Sequence, residues 1–261
     1  GLLTRRQVMV DGTVVTRFDA PLLPGQQVTL LPPEAAGAAE LPFPVLYQDR
    51  DLIAVDKPAG LLSMGNEKER TRTAYRMVSD YVKAREPGGR IFIVHRLDRD
   101  TSGVLVFAKN ERMKRALQDH WEALVQQRGY VAAVEGDLPE PEGTVRSYLR
   151  ETATHLVYSG PRGKEGREAV THYRVLARGK GFSLVEVTID TGRKNQIRVH
   201  MQDLGCPVAG DRQYGAQSDP MGRLALHAHV LRFTDPRSKK TLELKASLPL
   251  GFQKLFPGAE Q

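Results

Sequence analysis

With 261 residues, 40% of them apolar and 26% charged, the chain can bury a sizeable core and is too apolar to be disordered. A single cysteine, Cys206, excludes an intrachain disulfide framework and any Cys-based zinc site, and it fits a reducing, cytoplasmic setting. The net charge of +7 favours a polyanionic partner, and no apolar run approaches the roughly 20 residues of a membrane span.

That charge is uneven: residues 1–44 carry −1 and residues 45–261 carry +8. No signal-peptide core is visible near the start, and the chain opens on Gly1 rather than Met, which points to a processed or truncated start. Val8 to Val10 and Val14-Val15 flank Asp11-Gly12, a hairpin signal, because Gly accepts the positive φ of such turns. A third strand is expected at Val28 to Leu31. Pro32-Pro33 and the Ala/Gly/Glu run after them lack any apolar period and read as a linker over 32–44.

The large unit, residues 45–261, starts with strands at Val45 to Tyr47 and Leu52 to Val55. Ala74, Met77, Val78, Tyr81 and Val82 recur at helical spacing and predict a helix that stops before Pro87-Gly88-Gly89. Then comes a polar run from His95 to Ser102, set between apolar stretches at Ile91–Val94 and Val104–Ala108. A polar loop held by two buried strands suits catalytic groups; it also suits a plain connecting turn. Asn110 is a candidate N-cap for a helix whose stripe is Met113, Leu117, Trp121, Leu124 and Val125, closed at Gly129. Trp121 reads as core.

Strands are expected at 130–134, as a hairpin over 145–158, and at 171–177 and 182–189. Thr191-Gly192 breaks the last of these, and Ile197, Met201 and Leu204 mark a short helix ended by Gly205. Further strands follow at 224–231 and 241–244. Many strands at hairpin spacing with few helices give an α+β fold with a mixed, mainly antiparallel sheet and flanking helices.

Several motifs carry chemistry. Strand, tight turn and helix start at 191–200 present backbone N–H groups, Arg193, Lys194 and Arg198 to an anion; cations there oppose the helix dipole, which hints at a carboxylate or phosphate partner. A solvated basic turn is the plain alternative. The Gly-rich loop 160–167 is not a P-loop, because Lys164 is followed by Glu165. His227 and His229 share a strand face without further ligands at metal spacing, so a structural role is expected and no metal. His95-Arg96-Leu97-Asp98 is not the kinase signature, since Leu97 intervenes and neither Asp-Phe-Gly nor GxGxxG occurs.

Taken together, six segments resemble the RluA-type pseudouridine synthases: 51–60, 95–103, 128–136, 191–200, 209–215 and 226–228. Residues 7–31 resemble the strand end of an S4-type RNA-binding module, so residues 1–31 are expected to be a partial S4-like segment ahead of a catalytic domain of pseudouridine synthase fold. The resemblance implies Asp98 as catalytic aspartate, Tyr130 as the active-site tyrosine near the target base, and Arg198 as the basic partner of the aspartate. It implies Arg96 as the residue filling the space of a flipped base, with Arg99, Arg193, Lys194 and Lys57 toward RNA. Many relatives have His where this chain has Asn195.

The implied reaction breaks the uridine N1–C1′ bond, turns the base and joins C5 to C1′. It involves no net redox or hydrolysis, so no cofactor is expected. The carboxylate could attack covalently, stabilise positive charge or orient a proton, and the tyrosine could stack or act as a base. The expected partner is structured RNA, ribosomal ahead of transfer RNA, bound by a monomer with its target base flipped. Two competing readings are a non-catalytic RNA-binding factor and a glycosidase using Asp98 with Asp100.

Overall fold

The computed structural model describes residues 2–3, 7–31, 40–67, 69–163 and 166–258. Most of the expected linker lies outside them, as do Lys164 and Glu165 of the basic loop. The N-terminal strands β1 (Val8–Val10), β2 (Thr13–Val14) and β3 (Val28–Leu30) form a separate antiparallel sheet in the order β2-β1-β3. Its β1–β2 turn places Asp11 and Gly12 at positive φ, as the Asp-Gly pair requires.

The remaining elements build one large sheet. They are β4 (Val45–Gln48), β5 (Leu52–Lys57), α1 (Ala74–Arg85), β6 (Phe92–Ile93), β7 (Ser102–Ala108), α2 (Glu111–Asp119), α3 (Trp121–Leu124) and β8 (Val125–Glu135). Then follow β9 (Glu142–Glu151), β10 (Val157–Gly160), β11 (Arg167–Gly179), β12 (Phe182–Ile189), α4 (Gln196–Asp203), β13 (Leu226–Thr234), β14 (Thr241–Lys245) and α5 (Leu250–Leu255). The order is β10-β9-β11-β12-β8-β13-β7-β5-β4, with β14 added to β13 and β6 to β7. Every pairing is antiparallel except β13 with β7, so the mixed, mainly antiparallel α+β expectation holds.

The parallel seam is short, two residue pairs: His227 opposite Ser102 and Ala228 opposite Gly103. It joins one core to two others. The first packs β8 and β12 against α4 and α5 through Val131, Val185, Ile197, Met201 and Phe252; on the other side β5 and β7 are covered on both faces, by α1 at Val55, Val78, Leu105 and Phe107 and by α2 at Ala54, Val104, Val106 and Leu117. At the seam Gly103 has φ +114°, and a Cβ there would lie 2.1 Å from the Ala228 carbonyl oxygen. No other residue fits that approach.

Local signals set the helices. Thr73 caps α1 by accepting from the Arg76 N–H, and Asn110 caps α2 by accepting from the Met113 N–H. The stripe from Met113 onward was expected to end at Gly129. Instead helix gives way to strand at Val125, and Gly129 is an interior residue of β8 opposite Thr188. Pairing with β13, which starts at Val125, and with β12, which joins from Gly129, outweighs the helical spacing of Val125.

Candidate active site

The loop between β6 and β7 carries Arg96, Asp98 and Arg99 into the seam, and side chains from elsewhere in the chain fasten it. His95 Nε2 accepts the Val106 N–H at 3.0 Å, on the edge of β7 that β13 serves at Ser102–Gly103 and β6 at Phe107–Ala108. The ring stacks on Trp121 with centroids 5.0 Å apart, and burial pushes its pKa down to about 4. His95 is therefore a neutral strut. Ser63 Oγ donates to the Leu97 carbonyl at 2.7 Å and accepts the Leu97 N–H at 3.0 Å, which fixes the residue beside Asp98.

Lys57 was expected to face RNA, and the structure corrects this. It is 0% exposed, and its ammonium donates to the carbonyls of Pro58, Leu61 and Arg99 at 2.9, 2.7 and 3.0 Å. Burial lowers its pKa to about 7, against the opposing pull of Asp100. Strand β5 is covered on both faces, so a side chain at its end has only loop carbonyls to meet.

Asp98 lines a cavity of about 300 Å³ with Tyr130, Arg96, Arg193, Lys194 and Arg198. Leu97, Ile189, Ile197 and Leu226 supply its apolar walls. The Asp98 carboxylate makes no hydrogen bond or ion pair with any described residue; only its backbone carbonyl is engaged, by the Thr101 N–H. Arg96 is exposed and makes none either. Burial pushes the Tyr130 phenol up to about 12; Arg128 pulls it down and Asp98 adds to the rise. The phenol is neutral at physiological pH, so Tyr130 can stack or donate a proton far more readily than accept one.

The opposite wall is the turn into α4. Gln196, buried at the helix start, ties it: its Oε1 accepts from Thr191 Oγ1 and the Arg193 N–H, and its Nε2 donates to the Val170 carbonyl and Thr171 Oγ1. Asn195 sits in the left-handed region at φ 54°, where Asn is among the residues best tolerated, and its Nδ2 donates to Tyr214 Oη. The cations there are partly answered internally: Lys194 Nζ meets Glu151 at 2.5 Å and Arg193 Nε the Glu168 carbonyl at 3.0 Å.

Arg198 was expected to pair with Asp98. Its guanidinium is instead held by Asp211, with Nε and Nη2 donating to the two carboxylate oxygens at 2.6 and 2.7 Å, while Nη1 donates to Asn195 Oδ1 at 2.9 Å. Burial opposes its charge, but the bond and charge of Asp211, with Asp98 behind them, leave its pKa above the ordinary arginine value. Arg198 therefore lends a field to Asp98 across the cavity and makes its ion pair elsewhere. Sequence reading missed Asp211, Ser63 and Gln196. Only the position of Asp211 inside the 209–215 motif pointed to it.

Arg99 pairs with Asp100 at 3.1 Å and lines the adjoining cavity. His227 and His229 form no metal pair: His227 Nδ1 meets Ser102 Oγ at 2.8 Å and His229 Nδ1 the Ala246 carbonyl at 2.7 Å. Among the described residues no cluster of three or more His, Cys, Asp or Glu could hold a metal, and no helix is long and apolar enough to cross a membrane.

Comparison with known proteins fits this geometry. The family model described as RNA pseudouridylate synthase matches residues 51–203. Ribosomal large subunit pseudouridine synthase D of Xanthomonas campestris is 35% identical, over 88% of this chain and 73% of its own. tRNA pseudouridine synthase C of Haemophilus ducreyi is 34% identical, over 81% of this chain and 93% of its own. The solved structure of human RNA pseudouridylate synthase domain containing 1 superposes with a TM-score of 0.65 at 27% identity, covering 82% of this chain and 86% of that one. A polar loop fastened by buried groups, a neutral tyrosine and a basic turn around one cavity thus belong to an enzyme of the RNA pseudouridylate synthase family.

Proposed function

We propose that this enzyme converts uridine to pseudouridine in structured RNA with Asp98 as the catalytic carboxylate, and that its substrate is ribosomal RNA. The observation that supports the role of Asp98 is its freedom: its carboxylate makes no hydrogen bond or ion pair with any described residue, while Arg198 across the cavity is committed to Asp211. A free carboxylate on a fixed loop is available to the reacting ribose or base.

The N1–C1′ bond breaks and C5–C1′ forms; the proton leaves C5 and one is taken up at N1, so the reaction is balanced without a co-reactant. Tyr130 supplies a neutral ring against the uracil, and Arg96 enters the space the flipped base leaves. Arg99, Arg193 and Lys194 hold the strand near the cavity mouth. The ribosomal reading follows the 35% identity to a synthase of the large ribosomal subunit; the 34% identity to a transfer-RNA synthase keeps transfer RNA as the second reading. The S4-like segment, residues 1–31, adds a second contact to RNA.

Carbodiimide-blocked primer extension on RNA from cells with and without the protein tests this. One or more stops in ribosomal RNA should vanish with the protein and return with the wild-type chain, but not with Asp98→Asn. Full activity of Asp98→Asn would remove Asp98 from the mechanism, and stops lost from transfer RNA alone would reassign the substrate.

A further inference from the structure

The cavity at Asp98 is the first of three that run into one another. The second, about 330 Å³, shares Arg96, Asp98, Lys194 and Arg198 with it. The third, about 620 Å³, shares Arg99, Asp100, Arg198 and Gln213 with the second. The trough therefore passes from Tyr130, over the catalytic loop, to the segment between α4 and β13.

The two ends differ chemically. The first has the Tyr130 ring and a set of apolar walls, which suits a base. The third has no aromatic lining and four guanidinium groups, Arg99, Arg198, Arg212 and Arg223. Two of these are neutralised, Arg99 by Asp100 and Arg198 by Asp211. The other two are not. Arg212 is exposed and makes no side-chain hydrogen bond or ion pair with any described residue. Arg223 donates from Nε to the Leu224 carbonyl and from Nη2 to Ser102 Oγ and the Leu226 carbonyl, which commits it to no carboxylate and leaves Nη1 without a described partner.

Backbone packing fixes one wall of this cavity: Gly210 has φ +80°, and a Cβ there would lie 2.4 Å from the Arg223 carbonyl oxygen, so only glycine lets the two segments approach this closely. Two guanidinium groups that bond to no carboxylate, Arg223 being answered only at longer range by the charges of Asp56 and Asp100, line a groove continuous with a base pocket and match one stretch of backbone next to a flipped nucleotide.

We infer that the third cavity is a phosphodiester subsite, in which Arg212 and Arg223 hold a phosphate of the RNA strand leaving the target uridine. The inference rests on the functional reading above for the target uridine in the first cavity. The Asp98→Asn chain, binding fluorescein-labelled nonauridylate across a potassium chloride series by anisotropy, tests it. Arg212→Ala should weaken binding about fivefold to tenfold and reduce the slope of log K against log salt by about 0.7, one phosphate contact on a single strand. Arg212→Lys should keep most of the affinity. One uncharged methylphosphonate linkage should weaken binding to Asp98→Asn by a similar factor and leave the Arg212→Ala version unchanged.

Wild-type affinity and slope in Arg212→Ala, equal effects of every methylphosphonate position on both chains, or no binding of nonauridylate would each overturn the subsite. Displacement of the probe by inorganic phosphate beyond that of potassium chloride at equal ionic strength would assign a free-phosphate site instead. Because only binding is read, in a chain lacking the Asp98 carboxylate, the outcome is separate from whether pseudouridine is made.

Discussion

Replacing Asp211 with Asn tests the ion pair that organises the basic wall of the cavity. Its two bonds to Arg198 measure 2.6 and 2.7 Å, and the side chains are 12% (Arg198) and 1% (Asp211) exposed. At about 4 Å between charge centres and an effective dielectric of about 20, their attraction is about 4 kcal/mol. Removing one partner of a buried pair costs about 3–5 kcal/mol, chiefly because the other charge is left uncompensated. An Asn amide keeps one acceptor oxygen, and Asn195 Oδ1 and Gln213 Oε1 still accept from the guanidinium at 2.9 and 3.2 Å. Asp211→Asn should therefore fall at the low end, about 3 kcal/mol.

Urea unfolding at neutral pH reads this directly. Arg198→Met should cost at least as much, since it strands the more deeply buried carboxylate. The double variant should recover part of the loss, giving a coupling of about 2 kcal/mol or more. The same cycle between Arg198 and Asp98 should give a smaller coupling than that of Arg198 with Asp211, because those two interact only through their charges and share no hydrogen bond. A loss below about 1 kcal/mol in Asp211→Asn, or stronger coupling of Arg198 to Asp98 than to Asp211, would refute the assignment.

His95, His200 and His227 are each held down to about 4 by burial, and His95 Nε2 must stay unprotonated to accept the Val106 N–H. Between the ordinary value near 6.5 and the folded value near 4 the unfolded chain binds the extra protons, so stability should fall as pH falls through that window, by up to about 1.4 kcal/mol per pH unit for each histidine. His95→Asn should flatten the slope of urea midpoint against pH by about one proton; an unchanged slope would remove His95 from the account. Gly103→Ala should cost at least about 3 kcal/mol, because its Cβ meets the Ala228 carbonyl, and an unshifted thermal midpoint would contradict the seam geometry. With Tyr130 neutral to about 12, single-turnover rates should show no rise from its ionisation between pH ~7 and ~10. A limb in that range that disappears in Tyr130→Phe would establish the tyrosine as a base.

What could be read from the sequence depended on how far apart the cooperating residues lie. Helix α1, the Asn110 cap and the strand-turn-helix of 182–204 rest on contacts a few residues apart, and spacing alone predicts them. The α2–α3 stripe was followed too far because Val125 continues the helical spacing, while Phe233 of β13, which claims it for a strand, lies far along the chain. Lys57 was placed toward RNA; its partner at the Arg99 carbonyl is 42 residues away. The Arg198–Asp211 pair crosses the end of α4 and a loop, a path with no period to follow. Family resemblance brought Asp98, Tyr130 and Arg198 to one place. It put the arginine on Asp98, whereas the ion pair is made with Asp211.

That last distinction changes how the site works. If Asp98 held Arg198 directly, its carboxylate would be engaged in the resting enzyme, and binding RNA would have to break an ion pair before chemistry began. The structure divides the work instead. Asp211 fixes the guanidinium, Ser63 fixes Leu97, Lys57 fixes the Arg99 carbonyl, and Arg223 with His227 fixes Ser102. The loop is thus fastened on both sides of Asp98 by groups that never touch its side chain. A carboxylate positioned by its backbone, with a guanidinium near enough to stabilise its charge but bonded elsewhere, is preorganised without being occupied. This also explains why a lysine is buried at the end of β5: an ammonium with three protons satisfies three loop carbonyls at once, which no apolar side chain of that size could do.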